Sequence, residues 1–276
     1  MNENEPAAGP PDAENPYAPP TATTTLRQTG SEPRFIATGR QVLAGQGASW
    51  LSGGWALFKE APGMWILFTV ILVVASVVMN LIPLGGIALS LVSPVLLGGI
   101  MLGCAAIKEG EPLELGHLFA GFSTQAGPLL LVGLLYMVGT IAIMLVILAV
   151  VIGSVGASGI AAMLASGDLD PFAALGGMLL GGLLAALLAL ALSIPLLMAF
   201  WFTAPLVVFH GLEPIAAIRT SFGACLKNIV PFLIYGLIGL VLAIAATIPL
   251  MLGWLVLVPV IMASIHAAYR DVFFEA

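Results

Sequence analysis

The chain alternates long apolar runs with short polar gaps. Six runs stand out, at about 63–82, 86–107, 128–153, 172–209, 231–250 and 252–269. Each is long enough to cross a hydrocarbon core of about 30 Å at about 1.5 Å per residue. The pattern predicts an all-α polytopic membrane bundle of six transmembrane helices. The gaps at 82–86 and 249–253 are tight, marked by Pro and Gly, and uncharged, while 154–171 reads as a longer loop carrying Asp168 and Asp170. The fourth run would reach about 57 Å as one helix, so it has to tilt, break or project. Pro195 and Pro205 are the expected kinks.

The polar gaps are not equivalent. Arg27, Arg34, Arg40 and Lys59 precede the first run, Lys108 follows the second, Arg219 and Lys227 follow the fourth, and Arg270 follows the last. The other gaps carry no Lys or Arg. This asymmetry predicts both termini on the cytoplasmic side of the membrane.

Composition agrees. Sixty per cent hydrophobic residues, 8% charged residues and a mean hydropathy of +1.12 exclude an ordinary soluble domain. The net charge of −6 owes much to Glu3, Glu5, Asp12, Glu14 and Glu32 near the N-terminus. No basic patch points to nucleic acid. Residues 1–39 read as a disordered, proline-rich cytoplasmic tail with too little apolar surface to order it, and 40–276 as the transmembrane domain. The N-terminus lacks the basic start and apolar core of a cleaved signal.

The runs also follow a threefold arrangement. Pro62, Pro128 and Pro231 open the first span of each pair; Pro94, Pro195 and Pro259 lie in the second. Glu111, Glu213 and Glu275 follow 16 to 18 residues after those second prolines. Amphipathic stripes precede each pair: Leu51, Trp55 and Phe58; Leu115, Leu118, Phe119 and Phe122; Ile215, Ile218, Phe222 and Cys225. Three repeated hairpins are expected, each led by a helix lying in the cytoplasmic interface.

Chemistry is sparse. The spans hold no Asp, Glu, Lys or Arg, which argues against a proton relay through membrane-embedded carboxylates. Asn80, Tyr136, Thr140 and Tyr235 are the candidate intramembrane polar contacts. His117, His210 and His266 lack ligand spacing, and Cys104 and Cys225 have no paired His. No catalytic constellation, cofactor or metal site is expected, and no enzymatic activity. The densest polar cluster is the cytoplasmic face. Glu213, Arg219, Lys227 and Arg270 form a candidate rim where a membrane or cytoplasmic protein, or a lipid head group, would dock. Pairing among themselves is the plainer account of these charges.

Several stretches resemble a known group: Trp55 through Trp65, Ala204 through Gly211, Ser221 through Asn228, Pro231-Phe232, and Tyr269-Arg270-Asp271. Together they resemble an uncharacterised family of proteobacterial inner-membrane proteins. The layout is more distantly similar to the membrane domain found with some glycerophosphodiester phosphodiesterases. The likeness spans about 40–274 and implies no catalytic residue, since no stretch could form the phosphodiesterase barrel. Two readings follow. The first is a non-enzymatic envelope component that organises lipid or binds a partner. The second is a small permease for an uncharged or lipid-like solute.

Overall fold

The computed structural model describes residues 34–167 and 171–275. Residues 1–33 of the tail, with Asp168 and Asp170, lie outside the described residues. The helices are α1 Gln46–Glu60, α2 Pro62–Leu81, α3 Gly85–Glu109, α4 Leu115–Thr124, α5 Ala126–Ser166, α6 Pro171–Phe200, α7 Thr203–His210, α8 Pro214–Lys227, α9 Ile229–Thr247 and α10 Trp254–Phe273. Six stretches are long and apolar enough to cross a membrane: Pro62–Leu81, Gly85–Glu109, Ala126–Ala161, Leu175–His210, Ile229–Thr247 and Trp254–Phe273. The molecule is a helical membrane bundle.

The order short helix, span, span occurs three times, led by α1, α4 and α8. Pro62 sits in the first turn of α2, where its missing N–H costs nothing. Pro94, Pro195 and Pro259 lie inside α3, α6 and α10. Each short helix packs on the second span of the pair before it, α4 on α3 and α8 on α6. With no pair before it, α1 packs on α10, so the contacts run in a cycle. Small residues permit these approaches. Gly99 lies against the backbone of His117 and Leu118, Gly121 against Val95, and Gly54 against Val260 and Ser264.

The fourth run breaks where proline chemistry demands. A proline ring clashes with the carbonyl four residues earlier, which for Pro205 belongs to Trp201. The helix stops at Phe200 and restarts at Thr203. Ser221 of α8 fills the gap. Its Oγ accepts from the Phe202 N–H at 3.0 Å and donates to the Met198 carbonyl at 2.8 Å. A serine from another helix thus replaces one i→i−4 link.

Two expectations need correction. The loop expected at 154–171 is helical as far as Ser166, ending at Gly167 with φ 75°. Glycines there weaken a helix by about 1 kcal/mol each. Ser154 and Ser158 offset that by packing against Gly181 and Gly177 of α6. Secondly, Phe35 through Gly39, assigned to the tail, pack on the bundle, whose compact unit begins at Phe35. On α8 the stripe Ile215, Ile218, Phe222 and Cys225 divides: Cys225 is buried with Ala217, Ser221 and Ala224, whereas Ile215 is 56% exposed.

The core gathers where the short helices meet the spans. One cluster centres on Trp50, Phe202, Leu206, Tyr269 and Phe273, the other on Trp65, Phe68, Met101 and Leu118. Away from it the spans present apolar side chains outward, such as Leu145, Ile152, Leu183 and Leu187, as a lipid-facing surface does.

Candidate functional site

Polar side chains concentrate where residues 35–44 cross the ends of α8, α9 and α10. Phe35 and Phe274 form an isolated antiparallel bridge, and Ile36 and Arg40 donate backbone bonds of 2.8 Å to the Phe273 and Val272 carbonyls. Arg40 pairs with Asp271 at 2.9 Å, and its Nε donates to the Asp271 carbonyl at 2.7 Å. The other carboxylate oxygen accepts from the Trp50 indole at 2.9 Å. Asn228 is fully buried and fully used. Its Nδ2 donates to the Arg40 and Ala224 carbonyls at 2.9 Å, and its Oδ1 accepts from the Val42 N–H at 2.8 Å. Phe35 stacks on His210 with centroids 3.6 Å apart, and His210 Nε2 is hydrogen-bonded to the Tyr269 hydroxyl at 2.6 Å.

The rim residues fall around this strap. Lys227 Nζ donates to the Thr38 and Gly39 carbonyls at 3.0 and 3.1 Å. Glu213 is the exposed residue before α8, and Arg219 is exposed along it. Arg270 is exposed with its guanidinium 4.7 Å above the Phe274 ring. Among the described residues the four do not pair with one another; the ion pair there is Arg40–Asp271. This departs from the expectation of mutual pairing.

The intramembrane candidates are dispersed. Asn80 donates to the Ser76 carbonyl one turn back at 2.8 Å. Thr140 donates to the Tyr136 carbonyl at 3.0 Å, and the Tyr136 ring meets Phe200 edge-on. Tyr235 is 7% exposed, and its hydroxyl lies 2.7 Å from Ser264 Oγ. Since Ser264 donates to the Ile261 carbonyl, Tyr235 is the donor of that pair. Only Thr140 and Tyr136 come together.

Sequence reasoning missed Arg40, Trp50, Ser221 and Asp271 as organising residues. Asn228, between Lys227 and Ile229 at a span start, was the one local signal. Cys225 is buried beside Ser221. Burial pushes its thiol up to about 12, with the Ser221 hydrogen bond pulling the other way.

Two depressions adjoin the first turn of α9. A groove of about 220 Å³ is walled by Ile194, Leu197, Met198 and Trp201 on one side and Cys225, Ile229, Phe232 and Leu233 on the other. The Trp201 indole N–H has no acceptor among the described residues. A second pocket, of about 470 Å³, is lined by Gln41, Val42, Leu43, Ala44, Leu226, Lys227, Ile229, Val230 and Pro231.

The chain is similar to a probable inner membrane protein of Burkholderia thailandensis, at 28% identity over 260 residues, covering 84% of this chain and 93% of that protein. No family model matches, and no solved structure does. The likeness to the phosphodiesterase membrane domain gains no support from these comparisons.

Proposed function

We propose that this chain is a non-enzymatic component of the bacterial inner membrane that organises lipid or holds a partner at its charged rim, with both termini cytoplasmic. The observation that carries this reading is the state of the rim cations. Arg219 and Arg270 are exposed without a carboxylate partner among the described residues, and Lys227 is bonded to carbonyls alone. Cations in that state suit anionic head groups or an acidic protein surface. The relative's printed name supports the inner membrane. The threefold helix order supports an interfacial place for the short helices, as do the half-exposed Leu115, Phe119 and Phe122 of α4.

The test replaces Arg219 and Lys227 together by Ala and, because Lys227 also holds the strap, Arg219 and Arg270 together in a second variant. Thermal unfolding and circular dichroism report the fold. Phospholipid phosphorus and stoichiometric protein carried through purification report retention. Lost retention with normal unfolding is expected. Unchanged retention in both folded variants overturns the reading.

A further inference from the structure

We propose that the groove beside α6 and the pocket beside Lys227 are two halves of one binding site for a phospholipid with an anionic head group. The acyl chain lies along Leu197, Met198 and Phe232, and the head group sits at Lys227. The proposal rests on the lipid-organising reading and gives it a ligand.

The two depressions are neighbours: Ile229 lines both. Their chemistry differs as the two ends of a lipid differ. Apart from the Cys225 thiol and the Trp201 indole N–H, the groove is walled by hydrocarbon and aromatic side chains, whereas the pocket contains Gln41 and Lys227. Around the first turn of α9, Val230 and Pro231 border the pocket and Phe232 and Leu233 border the groove. The groove opens sideways from the spans, since Ile194, Leu197 and Leu233 are 48%, 48% and 65% exposed. The molecule available on that side, in a membrane, is lipid.

Charge selects among lipids. An acyl chain gains little on leaving a bilayer for an apolar groove, because both are equally dry. A head group next to a cation does gain. Lys227 gives two of its three ammonium protons to the Thr38 and Gly39 carbonyls, which leaves one proton and the whole charge available. The acid of this helix, Glu213, precedes its other end, about 20 Å away along the axis.

The test uses the full chain in detergent and native mass spectrometry, titrated with palmitoyl-oleoyl phosphatidylglycerol or with phosphatidylethanolamine of the same chains. The expected result is an about fivefold preference for phosphatidylglycerol. Lys227→Gln should remove the preference, and Lys227→Arg should keep it. Leu197→Trp or Leu233→Trp should fill the groove and weaken both lipids about tenfold. Leu190→Trp, at an exposed apolar position elsewhere on α6, should change neither. Two groove variants guard against misfolding in one, which thermal unfolding would reveal. Equal binding of the two lipids by the unaltered chain overturns the proposal. So does unchanged binding in both groove variants, or a dimer abolished by Leu197→Trp with no lipid bound, which would make a second copy the occupant. If these tests fail while the Arg219→Ala, Arg270→Ala variant still loses retention, the site falls and the broader reading stands.

Discussion

Arg40 and Asp271, 231 positions apart, meet at 2.9 Å, and the same carboxylate accepts the Trp50 indole N–H. Their side chains are 31% and 18% exposed, so the pair is better shielded than a surface contact. Asp271→Ala leaves two donors without an acceptor and is expected to cost about 2–3 kcal/mol. Thermal unfolding in detergent measures this. The Arg40→Ala, Asp271→Ala double variant should cost less than the sum of the singles.

Gly54 marks the contact between α1 and α10. A β-carbon there would overlap the Val260 carbonyl and come within 2.8 Å of the Ser264 nitrogen. Backbone cannot yield as a flexible side chain does, so Gly54→Ala should destabilise by about 2–3 kcal/mol. Gly63, with nothing within 4 Å of that position, is the control. Gly63→Ala should leave the midpoint of thermal unfolding unchanged or slightly raised.

Tyr235→Phe removes one donor from a buried pair in which Ser264 keeps its bond to the Ile261 carbonyl. The expected loss is about 1 kcal/mol, read as a lower unfolding midpoint with membrane insertion intact. Hydrogen exchange at this hydroxyl should be slow. Fast exchange, meaning water at Tyr235, would instead favour the permease reading.

The Cys225 thiol titrates from about 12 in the folded chain, against an ordinary 9.0. A raised acid keeps its proton in the folded state while the unfolded thiol ionises. Its contribution is therefore complete below pH 9.0 and declines as pH rises from there toward about 12. Alkaline unfolding should start earlier in the unaltered chain than in Cys225→Ala. At neutral pH the folded chain should resist maleimide.

Orientation follows from the eight Lys and Arg residues. Reporter fusions at position 168 and after the C-terminus should report opposite sides of the membrane. The same side for both would remove the cytoplasmic rim from the argument.

The spans were legible because lipid imposes a length on any helix that crosses it. Pro195 and Pro205 were legible as kinks, but not that the helix continues through the first and breaks before the second. The helix through residue 166 was not. Gly153, Gly156 and Gly159 read as loop until Ser154 and Ser158 find Gly181 and Gly177 on another helix. The buried face of α8 was hidden for a reason peculiar to membranes. Where the solvent is itself apolar, Ile215 can face outward while Ala217 and Ser221 turn in, so hydrophobicity stops reporting burial. Arg40 and Asp271 left no trace either, since a pair so far apart has no period.

The docking of α1 on α10 sets a timetable for biosynthesis. Chains leave the ribosome from the N-terminus, so Gly47, Trp50 and Gly54 appear first, while Val260, Ser264 and Asp271, against which Gly54 and Trp50 settle, appear last. Until α10 emerges, α1 lacks the surface that seats Gly54. A chain that stalls before α10 leaves the Trp50 indole and the Arg40 guanidinium without the Asp271 carboxylate. Closure of the cycle therefore waits for α10.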